Sequence, residues 1–412
     1  MLKNYFKIAI AVLKRRKFFT FISLFGISFS LTIIMVLTAF SDHVVDASYP
    51  DAHRDRNLYV SMMRLTGEKH GFRQNGPPSF YFLDHYVKKM KAPEKVAICS
   101  FHKPSNTYIN NKKLVIDQKF TDDAFWEVLD FRFLEGKPYT AQQISNAEKV
   151  TVISENLRKK YFGDVPSVVG RYLETDNVRY RVAGVVKSVP ITQFLTYGDM
   201  YVPHTLAKKD PLDKGLNGEY FGILQGSSAS SVPAMAAEYD DIIRRLPVDT
   251  SRFDKISSRA DHYVAGYTRL FMGDQDNSGV NTLLLYTGLV LLFFLLLPTL
   301  NLVNINISRI MERSSEIAVR KAFGASSGTL AVQFIVENLI LTVIGGLIGI
   351  ILSVIILTAW NNAGLIEDVH LYLNVKVLAI SLAVCLLFGL MSGVYPAWRM
   401  SRLHVVTALK TY

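Results

Sequence analysis

The chain has 412 residues, half of them hydrophobic, a mean hydropathy of +0.20 and a formal net charge of +11. An average above zero, with the apolar residues gathered in blocks, excludes a purely soluble chain of two or three domains. The pI near 9.4 invites nucleic acid as a partner, but a nucleic-acid site needs a basic face on a folded domain, and the excess charge here lies elsewhere.

Residues 1–17 place Leu2, Phe6, Ala9 and Leu13 on one helical face and Lys3, Lys7 and Lys14 on another. This predicts a cytosolic amphipathic helix at the membrane surface, with a plain basic flank as the alternative. Phe18–Phe40 follows with no charge in 23 residues. It is long enough to span a bilayer at ~1.5 Å rise per residue. Its apolar core exceeds a signal h-region, so it reads as an uncleaved anchor despite the weak cleavage pattern Val45-Asp46-Ala47.

Residues 41–281 are a large insertion of mixed pattern, expected to fold as an α+β domain. A strand near Asn57–Arg64, a helix near Ser79–Met90 and a strand near Val96–Phe101 form one unit. A strand near Tyr220–Leu224, a helix near Ser231–Leu246 and a strand near His262–Phe271 form a second. In that helix Val232, Met235, Tyr239, Ile242 and Leu246 recur at helical spacing. Between the units the pattern predicts a hairpin around Asn110-Asn111, a strand over Val150–Ile153 and a short helix over Glu155–Tyr161 that stops near Gly163. It also predicts a strand over Val178–Val186 with a bulge at Gly184. Cys99 and Cys385 fall in the insertion and in the last apolar block, so no disulfide framework is implied.

Three more blocks, 282–307, 329–360 and 377–397, are long and apolar enough to span; Glu337 is the only charge in them. Four spans put 1–17, 308–328 and 398–412 on one side. Those segments hold 13 Lys and Arg against Glu312 and Glu316, while the rest of the chain holds 33 basic and 33 acidic residues. The whole net charge therefore marks one face, which orients both termini to the cytosol and the insertion to the outside, leaving 361–376 as a short outer loop. Within the spans, Gly345 and Gly349, and Gly389 and Gly393, have the spacing that lets helices approach closely in lipid. Gln333 and Glu337 lie one turn apart and suggest a polar joint.

No P-loop, H-E-x-x-H or C-x-x-C segment occurs. The G-x-S-x-G match at Gly324–Gly328 lacks the strand that a nucleophile elbow needs before it. Neither a catalytic nor a metal site is expected. The informative segment is the loop 308–328. Ser314 or Ser315 can cap a short helix with Glu316 early and Arg320 and Lys321 late, as the helix dipole prefers. Ile317, Ala318 and Phe323 give it an apolar face, and Gly324 a stop. Such a helix suits docking by a soluble partner; a loop that only sets topology is the alternative.

This loop resembles the signature of the MacB/FtsX-like ABC permeases, the type VII or mechanotransmitter systems. Val152–Glu155, Tyr161–Gly163 and Val182–Val186 are similar to the family's periplasmic core, and Tyr395–Arg402 to its closing motif. The resemblance implies an integral membrane bundle of four helices in the bacterial inner membrane. It implies a periplasmic domain with a porter-like part (about 44–102 and 216–271) and a sabre-like part (103–215). It also implies a homo- or heterodimer coupled to a separate cytosolic ATPase, which would bind the ATP and Mg. Glu316, Ile317, Ala318, Arg320, Lys321, Phe323 and Gly324 would then receive the ATPase. The expected function is export of a drug, peptide or similar periplasmic substrate, with an adaptor or outer-membrane partner. The alternatives are control of a cell-wall hydrolase, lipoprotein release, or a membrane sensor without an ATPase.

Overall fold

The computed structural model describes residues 10–390 except 12, 16, 68–70, 110, 208–213, 248–252, 274–276, 313–326, 385 and 388–389, with few side chains between 298 and 334. The chain forms two compact units. An α+β unit holds Val44–Leu284 with Ile366–Val369, and a helical unit holds the remainder.

The α+β unit contains thirteen strands among the described residues: β1 (Asn57–Val60), β2 (Met63–Gly67), β3 (Phe72–Gly76), β4 (Lys95–Ser100), β5 (Lys103–Ile109), β6 (Lys112–Thr121), β7 (Phe133–Gly136), β8 (Val150–Ser154), β9 (Tyr172–Thr175), β10 (Val178–Val186), β11 (Met200–Pro203), β12 (Tyr220–Gln225) and β13 (Lys255–Ser258). Ten form one sheet in the order β1-β12-β4-β6-β11-β8-β10-β7, with β5 beside β6 and β9 beside β10; β13-β2-β3 form a second sheet. The β6–β11 and β8–β10 pairs are parallel. Every residue of β8 is buried, as expected for a central strand covered on both faces.

Two halves of the large sheet each have a core. One gathers Leu58, Phe82, Ile98 and Met235; the other Ile153, Leu157, Val182 and Met200. A third core runs through both, joining Tyr59, Cys99 and Phe221 to Phe125, Val152 and Tyr201. The halves meet where β4 pairs with β6 at a single position, Cys99 opposite Thr121. They are therefore one continuous sheet with a narrow seam.

Helices cover this sheet. The longest, Val232–Arg245, buries Val232, Met235 and Tyr239, and the Tyr239 hydroxyl meets Ser258 Oγ at 2.7 Å. The helix Glu155–Phe162 is capped by Ser154, carries Glu155 in its first turn and Lys159 and Lys160 in its last, and ends at Gly163 with φ +70°. The expected bulge is present: the β8–β10 register shifts between Val182 and Gly184. A Cβ at Gly184 would lie 2.9 Å from the Lys137 carbonyl.

Two expectations are corrected. Residues 57–64 are not one strand, because the chain leaves the large sheet after Val60 and joins the small one at Met63. Residues 262–271 are not a strand but the helix Tyr263–Phe271. Tyr and Val in that stretch favour β structure, yet as a helix the segment buries Tyr263, Gly266 and Thr268, and that burial decides the outcome.

In the helical unit, Lys17–Val45, Val280–Leu297 and Ile335–Ala363 are long and apolar enough to cross a membrane; Val375–Val384 is a shorter apolar helix. We number the helices α1 (Lys17–Val45), α2 (Phe80–Phe82), α3 (Phe125–Val128), α4 (Ala141–Ser145), α5 (Glu155–Phe162), α6 (Val232–Arg245), α7 (Tyr263–Phe271), α8 (Val280–Glu312), α9 (Ser327–Ala363) and α10 (Val375–Val384). Helix α1 packs on α9. The Gly345 and Gly349 backbones meet Ile27 and Leu31, and the Thr32 hydroxyl donates to the Ser28 carbonyl (2.7 Å) and the Gly349 carbonyl (3.2 Å). Elsewhere the unit displays apolar side chains. Phe21, Phe25 and Phe29 stack along one exposed face of α1, and Leu285, Leu289 and Phe293 are exposed on α8. Apolar surface on this scale fits lipid or another subunit, not water.

Candidate force-transmission joint

The last carbonyls of α1 have no partner within the helix. Arg54 supplies one. Its Nη1 donates to the carbonyls of Val44 (3.3 Å), Val45 (3.2 Å) and Asp46 (2.6 Å). A cation at a helix C-terminus is also favoured by the helix dipole. The Arg54 Nε donates to Asp51 at 3.2 Å, and its guanidinium lies 3.5 Å above the Tyr263 ring. Asp51 is almost wholly buried and also accepts from Asn57 (3.1 Å) and the Tyr59 hydroxyl. Burial pushes the Asp51 carboxyl up, against the pull of Arg54, Tyr59 and Asn57. Burial, with Asp51 beside it, pushes the Tyr59 phenol far up, so it remains a donor.

Tyr59 also holds the other end of the unit. Its N–H donates to the Asp261 carbonyl (2.7 Å), and the Asp261 N–H returns to the Tyr59 carbonyl (3.0 Å). The Asp261 carboxylate takes Arg269 of α7 in a two-point contact of 2.5 and 2.9 Å. The Tyr263 ring meets Tyr59 edge-on at 5.4 Å. Thr268 donates to the Ser278 carbonyl at 2.8 Å, tying α7 to the residues that lead into α8. The segment that follows α1 and the segment that precedes α8 therefore converge on one residue of β1. The network is buried and densely bonded, although Arg54 Nη2 and Asn57 Oδ1 have no hydrogen-bond partner within it, and it ties both segments to the edge strand of the large sheet.

A second buried cation pins the seam between the sheet halves. Lys119 on β6 is fully buried and donates to the Ser100 carbonyl of β4 (2.8 Å) and the Leu195 carbonyl (3.0 Å). Burial holds its ammonium down to about 8.

Residues 20–242 match the MacB-like periplasmic core domain, more than half of the chain, and residues 288–405 match the FtsX-like permease C-terminal domain. The chain belongs to the MacB/FtsX-like ABC permease family. Among curated relatives, the permease is 27% identical over 290 residues to the pyoverdine export ATP-binding/permease protein PvdT of Pseudomonas fluorescens, covering 70% of this chain and 42% of that one. It is 22% identical over 334 residues to the uncharacterized ABC transporter permease YknZ of Bacillus subtilis, covering 80% and 79%. It is 25% identical over 280 residues to the macrolide export ATP-binding/permease protein MacB of Campylobacter jejuni, covering 66% and 41%. The permease thus spans about 42% of the length of the first exporters it matches. Of solved structures, the periplasmic region of MacB from Actinobacillus actinomycetemcomitans aligns at 14% identity and TM-score 0.34, over 48% of this chain and 88% of that one. The extracellular domain of YknZ aligns at 16% and 0.36, over 48% and 98%.

Of the residues singled out from the sequence of this permease, Glu316, Ile317, Ala318, Arg320, Lys321, Phe323 and Gly324 lie outside the described residues, as do Gly389 and Gly393. Gln333 falls on α9, and Glu337 is buried on the same helix beside the buried Asn338. Gly345 and Gly349 lie at the α1 crossing, where a Cβ would approach Ile27 at 2.9 Å and the Ser28 carbonyl at 3.0 Å. Sequence reasoning missed the joint. Its signal was a cluster of Asp51, Arg54, Asn57 and Tyr59 directly after an apolar helix, matched by Asp261 and Arg269 shortly before the next one.

Proposed function

We propose that this permease is a subunit of an export complex and moves force, not substrate, through the bilayer. A separate cytosolic ABC ATPase binds ATP and Mg and pushes the 308–328 segment, with Arg320 and Lys321 offering charge and Ile317, Ala318 and Phe323 an apolar face. The chain itself performs no catalysis. The spanning helices carry the motion to the periplasmic core, which acts on its cargo with an adaptor or outer-membrane partner. In this reading 377–397 is a fourth span, both termini are cytosolic, the membrane is the bacterial inner membrane, and two permease chains form a homo- or heterodimer through their apolar faces. Gln333 and Glu337 form the polar joint between the coupling segment and the bundle.

The observation that carries the reading is the double grip on Tyr59. A flexible linker would absorb a displacement, whereas Arg54 and Arg269 leave little slack in either segment. Export is favoured over hydrolase control by the full-sized core domain and by relatives named as exporters. Purification of the tagged permease from native membranes, followed by mass spectrometry, tests it. An ABC ATPase is expected to co-elute, and charge reversal of Arg320 and Lys321 to lower permease-stimulated ATP turnover without loss of insertion. If no ATPase accompanies the permease, the reading fails.

A further inference from the structure

Between α9 and α10 the chain segment Ile366–Val369 packs as part of the α+β unit. It lies on α5. Asn156 Nδ2 donates to Asp368 at 2.6 Å and to Glu367 at 3.3 Å, and Lys160 pairs with Glu367 at 2.8 Å. Asn156 and Lys160 are one helical turn apart and so present one gripping face. Asp368 holds φ +61°, a conformation costly for a side chain other than glycine and retained where contacts enforce it. Val369, next to these two acids, is 3% exposed.

The helix beneath is well anchored. Ser154 caps it at 3.1 Å, Leu157 is buried, Arg158 pairs with Glu135 at 2.8 Å, and the Asn156 N–H donates to Ser188 at 3.0 Å. These contacts tie α5 to β7, β8 and the end of β10. The turn is equally fixed at its base, where the Asn361 side chain both donates to and accepts from the Leu371 backbone at 2.9 Å.

We propose that the Ile366–Val369 turn is a clasp on α5 through which the α9–α10 hairpin acts on the β8–β10 half of the sheet. It is a third path into the core domain, remote from the two that meet on Tyr59. The clasp gives the family reading a further part, but its existence is independent of that reading.

Hydrogen exchange on the full chain in lipid nanodiscs tests it. Lys160→Glu and Glu367→Lys are each expected to speed exchange about fivefold in the peptides covering 366–369 and 150–162, as loss of one partly exposed pair allows. The double charge swap should return both to within about twofold of wild type. Asp368→Gly, which accepts the backbone conformation but removes the carboxylate, should behave like the single variants. If exchange rises only in the turn, or if the swap is as fast as the single variants, the clasp does not act on the sheet and the proposal falls. Absence of an ATPase partner would overturn the proposed function while leaving these outcomes unchanged.

Discussion

The joint around Arg54 and the crossing at Gly349 both hold backbone segments close together, and they do so by opposite means. In the core domain, Arg54 and Asp51 bring charge into a buried site and satisfy it with carbonyls, an amide and a phenol. In the helical unit, Gly345 and Gly349 remove side chains so that Ile27 and Leu31 can approach, and one threonine hydroxyl supplies the hydrogen bond. The difference follows from the medium. A water-folded domain gains rigidity from buried hydrogen bonds and ion pairs. A helix pair in lipid has no hydrophobic drive to associate and relies on close packing.

The comparison is easiest to break at Arg54. Arg54→Ala leaves Asp51 buried without its counter-charge and three carbonyls without a donor, so unfolding of the core domain should become easier by about 3–5 kcal/mol. A thermal melt of the purified chain, followed by tryptophan fluorescence, measures this. Tyr59→Phe removes one hydroxyl and should cost about 1–3 kcal/mol.

The glycine side of the comparison predicts a loss by addition. Gly349→Leu forces atoms against the Ser28 carbonyl and Leu31, and should cost about 1–3 kcal/mol in detergent-resistance assays. Gly288→Ala is the control: a Cβ there meets nothing within 4 Å, and little change is expected. Lys119→Met strands the Ser100 and Leu195 carbonyls at the seam, a cost of about 1–3 kcal/mol in the same melt.

The smallest effect expected is on pH dependence. Burial pushes the Asp122 carboxyl up to about 6, against the pull of Lys88 2.9 Å away. The folded chain then holds a proton that the unfolded chain has released, so this residue's contribution to stability falls as pH rises from about 4 to about 6. Burial holds His204 down to about 4, and its contribution rises from about pH 4 to 6.5, opposing the fall. Asp122→Asn removes only the fall. Its melting temperature relative to wild type should therefore climb between pH 4 and 6; a constant difference would show that Asp122 does not titrate in that window.

Much of this division was legible in the sequence. Three apolar blocks overlap the three helices that, among the described residues, are long and apolar enough to span, and β10, its Gly184 bulge and the Ser154-capped α5 lie where alternation and capping put them. Helix α7 was not legible, because its aromatic and β-branched residues favour a strand until Tyr59 and Arg54 supply the face that Tyr263 covers. The joint escaped for the same reason. Asp51, Arg54 and Asp261 read as ordinary surface charges in a charge-balanced segment, and only folding brings residues some 200 positions apart against one tyrosine. The clasp is harder still, since Asn156 and Asp368 are separated by 212 positions and two apolar helices.

The most direct test of the central claim is whether cutting the joint disconnects the core domain from ATP. Spin labels at the exposed Tyr108 of β5 report, by pulsed electron resonance, the distance between the core domains of an assembled complex. ATP is expected to shift this distance in wild type, and the shift to be lost in Arg54→Ala and reduced in Tyr59→Phe, with hydrogen exchange showing the large sheet still folded. An unchanged ATP-driven shift in both variants would contradict that claim.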